Sequence, residues 1–164
     1  MEKPVGSEPT ATAPLLVEEA LNRALAGDLH GGGMLLVPLI EDSPRECFAL
    51  CAMLAVTCTH GLEREPDGMF ALQVEDVLTG EPGRPEDLPP VAQFAAQFVT
   101  AWANEDQDAA QALFDALAAD AGTDAGMGRV VDGVIALYGM AIASMRALIE
   151  EQRTNPNQRE GNNR

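Results

Sequence analysis

The segment SPRECFALCAMLAVTCTHG, residues 43–61, decides the fold of this chain. Its first residues predict the start of a helix, because Ser43 is able to accept a hydrogen bond from the free amides, Pro44 suits the first helical position, and Glu46 completes a capping box. Gly61 supplies a natural helix end. These signals together predict a helix over 44–60.

The body of this helix is apolar on every face. Between residues 47 and 62 there is no Asp, Glu, Lys or Arg, and His60 is the one histidine. The apolar side chains fall at all angles around the helix axis: Phe48, Leu50, Cys51, Met53, Leu54, Val56 and Cys58. A helix of this kind is enclosed by other parts of the protein. We therefore predict that it is the central helix of a helical domain.

The composition agrees with a helical fold. The chain has 164 residues, enough for one domain with its own core. Hydrophobic residues make up 46% and aromatic residues only 4%, so alanine, leucine and valine form the core and favour packed helices over a sheet. We predict an all-α fold, a single-domain bundle of about six helices: 13–26, 29–41, 44–60, 88–103, 106–119 and 126–151.

Two of the predicted turns resemble each other. Leu25-Ala26-Gly27-Asp28 and Ala103-Asn104-Glu105-Asp106 stand 78 residues apart, and each precedes a helix and then a longer apolar helix. This pattern indicates a pseudo-repeat of three-helix units, about 13–62 and 88–153. The alternative is a chance match between alanine-rich helices.

The segments outside these units are less regular. Residues 63–87 form an irregular linker in which Phe70, Leu72 and Val74 alternate as in a short strand within 69–78. Such a strand needs a partner, and 34–40 is the candidate, since Gly31 to Gly33 and Pro38 leave 29–41 open between helix and strand. Comparison with 106–119 favours a helix for 29–41. We expect a disordered leader over 1–12 and a disordered tail over 154–164.

The formal net charge of −16 limits the partners of the protein. Nucleic acids and anionic membranes require cationic surfaces, so we predict no direct nucleic acid binding and no membrane association. No signal peptide and no uncharged stretch long enough for a membrane span is evident. Three cysteines without an export signal indicate a reduced, cytoplasmic protein, and the excess of arginine over lysine is typical of a bacterial, GC-rich genome.

Residues 85–128 contain acidic residues and no basic residue. This acidic segment is the strongest indication of a binding surface in the sequence. We predict that a protein partner binds there and that the acidic charge favours a basic one, with these residues in contact: Glu105, Asp106, Asp108, Asp115 and Asp120. The alternative is that Asp87, Asp106 and Asp124 cap helices and that the others are solvated. Calcium is disfavoured, since Asp106-Gln107-Asp108 lacks the glycine and the glutamate of a calcium loop.

Reactive residues suggest a second class of function. A groove near Cys51, Cys58 and His60 is a candidate site for a small enzyme or a ligand-binding protein, although buried cysteine usually packs as a hydrophobe. The row of Cys47, Cys51 and Cys58 spans more than about 15 Å at 1.5 Å per residue, too far for one metal ion. We predict no catalytic, cofactor or metal residues, and no phosphate loop at the three glycines.

The sequence thus predicts a cytoplasmic interaction or adaptor module rather than an enzyme. One sub-case is an acidic mimic of nucleic acid that regulates a basic DNA-binding partner. A homodimer is also predicted, through a face of small residues on the last helix: Gly133, Ala136, Gly139 and Ala143.

Overall fold

The computed structural model describes residues 12–62, 68–70, 74–75 and 81–155. This part of the chain folds into α-helices and one antiparallel pair of two-residue strands, with Val74 opposite Gly83 and Glu75 opposite Pro82. The elements in chain order are α1 (Thr12–Leu25), α2 (Leu29–Met34), α3 (Val37–Asp42), α4 (Pro44–Thr59), β1 (Val74–Glu75), β2 (Pro82–Gly83), α5 (Pro90–Ala103), α6 (Gln107–Ala118) and α7 (Asp124–Thr154). The all-α prediction is confirmed: all six predicted helices are present, and the second is divided into α2 and α3.

The division of the second helix follows from its proline. Pro38 has no amide hydrogen and its ring clashes with a carbonyl one turn earlier, so a helix cannot run through it but can begin there. The chain accordingly leaves α2 at Leu35 and begins α3 at Val37, with Pro38 in its first turn. The strand alternative for 34–40 is therefore wrong, and β1 pairs instead with Pro82–Gly83 inside the predicted irregular linker.

The first residues of the helices show which of the predicted capping hydrogen bonds form. The Ser43 hydroxyl accepts a hydrogen bond from the Glu46 amide at 3.2 Å, as predicted for α4. Asp87 does not cap α5; it lies in a 3-10 turn, and α5 begins after Pro89 without a side-chain cap. Asp124 does not cap α7 either, because the hydroxyl of Thr123 takes that role.

The turns between α1 and α2 and between α5 and α6 have the same geometry. Asp28 and Asp106 each accept a hydrogen bond from the amide three residues later, at 2.9 and 3.0 Å. The preceding residues, Gly27 and Glu105, both have a left-handed backbone, with φ of 98° and 60°. The turns therefore match in detail, while the duplication of the larger units stays an interpretation.

The core lies where α4, α5 and α7 pack against one another. Both long helices place fully buried side chains there, and α5 adds Phe98 between them. Aromatic rings from three helices meet around Phe48, which contacts Phe98, Trp102 and Phe114 with ring centroids 5.9, 6.3 and 5.5 Å away. The side chains with no exposed surface include Leu50, Cys51, Leu54, Phe98, Val134, Leu137 and Ala141.

The predicted leader and tail lie almost wholly outside the described residues, and so does most of the linker. Helix α1 begins at Thr12 and α7 extends to Thr154, one residue into each of those segments. Of the predicted strand over 69–78, the described residues include only Met69, Phe70 and β1.

Candidate functional site: an apolar groove beside α4

One face of the predicted central helix is not covered. Leu50 and Leu54 are fully buried, but Val56 is 51% exposed, and Ala52 and Met53 are half-buried on the same side. The prediction that α4 is enclosed on every side is therefore wrong. Three of its faces pack against α3, α5 and α7, and the fourth forms the floor of a groove.

This groove, which we call the α1/α4/α7 groove, has a volume of about 1080 Å³. Each of its three helices contributes one stripe of residues at helical spacing, and Trp102 of α5 closes one part of the wall. The lining consists of Pro14, Val17, Glu18 and Leu21 of α1; Ala52, Met53, Val56, Thr57 and His60 at α4 and its end; and Met145, Leu148, Ile149 and Gln152 of α7.

The lining is chemically simple. Its polar side chains are Glu18, Thr57, His60 and Gln152, and Glu18 is its one carboxylate; the other lining residues are apolar. A surface of this kind offers few hydrogen bonds and gains free energy mainly by covering apolar area. It is suited to binding an apolar object rather than to bond-making chemistry.

Trp102 packs against two other aromatic rings at the edge of the groove. Its ring stacks on Phe98, with centroids 6.2 Å apart and planes within 10°, and Phe48 meets it edge-on. It is also the single tryptophan of the chain. All tryptophan fluorescence of the chain therefore comes from a residue on the groove wall, which also lines a smaller cavity of about 270 Å³ beside Phe70.

The cysteines predicted as reactive groups are buried and protonated. Cys58 is 4% exposed, and burial raises the pKa of its thiol to about 12, so the thiolate is scarce at neutral pH. Cys51 has no exposed surface; its hydrogen bond to Cys47 and its burial both raise its pKa well above the ordinary value. The same hydrogen bond lowers the pKa of Cys47, which is only 2% exposed.

The structure brings together only part of the predicted cysteine–histidine group. Cys58 and His60 line a second cavity of about 400 Å³, with Ser144 and Glu151 on its wall. Cys51 is not among its lining residues. Among the described residues there is no group of three or more His, Cys, Asp or Glu side chains arranged to hold a metal ion.

The acidic residues predicted to bind a partner are all exposed, but several have local roles. Asp106 caps α6, Asp115 accepts a hydrogen bond from Gln111 at 2.8 Å, and Asp120 forms a 2.9 Å ion pair with Arg129. Glu105 and Asp108 stand at the exposed start of α6. Partner binding by these residues stays a prediction.

The predicted face of small residues on α7 is divided by the fold. Gly133 is buried, and a Cβ there would lie 2.8 Å from Cδ2 of Leu117 and 3.2 Å from Cδ1 of Phe94. Ala136 is half-buried, whereas Gly139 and Ala143 are exposed. Gly133 therefore serves packing within the chain, and only the latter two residues are available to another molecule.

Helix α7 bears on the predicted location. Over one 18-residue window its mean hydropathy is 1.4, enough by length and composition to cross a membrane, and 39% of that window is buried inside the fold. The core helix of a soluble protein has the same properties. The helix does not decide the location, and cytoplasmic localisation stays a prediction.

The chain matches no protein-family model, no curated protein sequence and no solved structure. Its function is therefore inferred from its own surfaces.

Proposed function

We propose that this protein is an interaction module that binds an amphipathic helix of a partner protein in the α1/α4/α7 groove. The observation that carries the proposal is the uncovered apolar face of α4 at the groove floor, where Val56 is 51% exposed. Large contiguous apolar surfaces on folded proteins mark interaction sites, and docking of an amphipathic helix into such a groove is a common mode of recognition.

The dimensions of the groove fit two turns of helix. The lining residues span 14–21 on α1, 52–60 on α4 and 145–152 on α7. At 1.5 Å per residue each stripe is about 10–12 Å long. A partner helix with apolar residues at i, i+3, i+4 and i+7 presents a stripe of the same length, so its apolar face is able to cover the groove.

The charge of the protein favours a basic partner. The chain carries a formal net charge of −16, and Glu18 is the one carboxylate of the groove lining. A helix with Lys or Arg beside its apolar stripe is attracted by the overall charge and gains a local ion pair at Glu18. This agrees with the basic protein partner expected from the sequence, at a different surface.

Trp102 fluorescence tests the proposal directly. The probe is a synthetic peptide of leucine and lysine without tryptophan, with its leucines on one helical face; one control peptide has the same composition in scrambled order. A second control replaces lysine by glutamate. We expect a saturable change in Trp102 emission with the amphipathic lysine peptide, and weaker responses to both controls because one lacks the apolar stripe and the other the charge.

Two protein variants link the response to the groove. Val56→Glu places a carboxylate on the groove floor and is expected to abolish the response. Leu15→Glu is the matched control, since Leu15 is 64% exposed on α1 and does not line the groove. Equal responses to the ordered and scrambled peptides, or binding unaffected by Val56→Glu, would contradict the proposal. A saturable response to an apolar dye that the peptide cannot displace would make the groove a small-molecule site instead.

A further inference from the structure

A second exposed apolar surface lies along an earlier part of α7. Ile135 is 54% exposed, and Leu29 and Met34 are each 55% exposed across a groove of about 510 Å³ between α2, α3 and α7. Gly139 lines the same groove, and a Cβ there would meet no atom within 4 Å. The backbone of α7 is therefore open to close approach at Gly139.

Charged residues are placed symmetrically around Gly139. Asp132 precedes it by seven residues and Arg146 follows it by seven, and both side chains are exposed. Seven residues bring a helix back to nearly the same face, with a drift of about 20°, and advance it by about 10.5 Å. One face of α7 thus carries an acid, a glycine and a base at equal intervals.

This order of charges is complementary to itself when one copy is reversed. We propose that two copies of the chain associate through this face, with their α7 helices antiparallel and a two-fold axis passing at Gly139. Asp132 of one copy then faces Arg146 of the second copy, and the reverse pair forms at the other end. A parallel arrangement would instead place like charges together, so the charges select the antiparallel one.

The apolar residues fit the same arrangement. Ile135 and Ala143 lie four residues on either side of Gly139, so Ile135 of each copy packs beside the small Ala143 of the other. Gly139 lets the two backbones come close at the crossing point, because neither copy has a side chain there. Arg146 donates one hydrogen bond to the carbonyl of Ala24 at 3.3 Å, which leaves other donors of its guanidinium for the second copy.

This surface is distinct from the α1/α4/α7 groove. Its α7 residues are Asp132, Ile135, Gly139, Ala143 and Arg146, and none of them is among the α7 residues that line the groove. Trp102 does not line the cavity at Gly139. A failure of the proposed dimer would therefore leave the proposed binding of a partner helix untouched, and the reverse also holds.

Charge exchange tests the proposed interface. Sedimentation equilibrium over roughly 1 µM to 1 mM gives the dimer dissociation constant of the full chain. We expect Asp132→Arg and Arg146→Asp, made separately, each to weaken the dimer by tenfold or more, since each creates two repulsive contacts. The double variant exchanges both charges and is expected to restore the dimer. Asp108→Arg on α6 is the matched control and should leave association unchanged.

Gly139→Leu supplies a second, independent test. The open space at this position allows the variant to fold, which circular dichroism checks, while the leucine separates the two helices and is expected to abolish the dimer. A monomer throughout the concentration range would overturn the proposal. So would a dimer that both single variants leave intact, or a double variant no better associated than the single ones.

Discussion

At the scale of single residues, Gly32 is required by packing rather than by backbone freedom. It lies in α2, where a Cβ would clash with the hydroxyl of Tyr138 and the carbonyl of Ala20. That hydroxyl donates a 2.8 Å hydrogen bond to the same carbonyl, so α1, α2 and α7 meet at this point. Gly33 differs, because a Cβ there would lie 3.9 Å from Cε1 of Tyr138, an ordinary contact.

The two neighbouring glycines should therefore respond in opposite directions to alanine. Gly32→Ala is expected to lower the free energy of unfolding by about 1–3 kcal/mol, because the new methyl group has no space. Gly33→Ala is expected to raise it by up to about 1 kcal/mol, because alanine favours the helix. Urea unfolding of both variants measures the difference. A loss of similar size in both would contradict this assignment.

The buried thiol of Cys58 predicts sensitivity to alkaline pH. Its pKa is raised from 9.0 to about 12 in the folded chain, so above pH 9 the unfolded chain loses the proton first. The contribution to stability is therefore constant below pH 9 and falls as pH rises toward 12. Cys51 and Tyr138 have raised pKa values as well and act in the same direction.

We expect the free energy of unfolding to fall more steeply between pH 8 and 11 in the natural chain than in Cys58→Ala. The variant is less stable at every pH because it leaves a cavity, so the slope is the informative quantity. Denaturant unfolding at several pH values measures it. Equal slopes would show that the Cys58 thiol titrates alike in the folded and unfolded chain.

At the scale of elements, the two turns before α2 and α6 use the same backbone with different residues. Glycine takes the left-handed conformation without a steric penalty, as at Gly27, whereas Glu105 adopts it at a cost of about 1–2 kcal/mol. The cap residues Asp28 and Asp106 follow directly and fix the position of the next helix. The α5–α6 turn therefore carries strain that the α1–α2 turn avoids.

Single substitutions at Gly27 and Glu105 test this difference in backbone strain. Gly27→Ala is expected to destabilise the protein by about 1 kcal/mol through backbone strain, since no atom crowds the new methyl group. Glu105→Gly is expected to stabilise it by up to about 1 kcal/mol. Glu105→Ala is the control, because it removes the same side chain but keeps the strain. Thermal unfolding compares the three, and a Glu105→Gly variant no more stable than Glu105→Ala would contradict the explanation.

At the scale of the whole molecule, the α1/α4/α7 groove results from unequal packing of two similar hairpins. The α5–α6 hairpin packs closely along α7 through α5, whereas the α1–α2 hairpin makes few contacts with α4. The space left between α1 and α4 is the α1/α4/α7 groove. The peptide titration with Val56→Glu and the charge exchange at Asp132 and Arg146 are predictions at this scale, because each concerns a surface built by several helices.

The acidic charge also acts on the molecule as a whole. A net charge of −16 repels other acidic molecules and attracts basic ones over a distance set by the salt concentration. The proposed dimer has to form against this repulsion, so it depends on the local pairing of Asp132 with Arg146. The proposed basic partner helix, in contrast, is attracted from a distance.

The sequence by itself determined the helices and most of their ends. Ser43, Pro44 and Gly61 delimit α4, and Asp28 and Asp106 cap α2 and α6, because each of these signals acts within one turn of the chain. The all-α class follows from the same local patterns. The predicted caps at Asp87 and Asp124 were wrong, because Pro89 precedes α5 without a side-chain cap and Thr123 caps α7, in which Asp124 is the first residue.

The tertiary structure alone decided which apolar faces are covered. An apolar stripe reads the same in the sequence whether a neighbouring helix covers it or not, so the exposed Val56 and Ile149 were not distinguishable from core residues. Their exposure depends on the spacing of helices, which is set by contacts between distant residues such as Tyr138 and Ala20, 118 positions apart. The groove beside α4 and the open face at Gly139 arise only in the tertiary structure, because each is a part of a helix surface that no neighbouring helix covers.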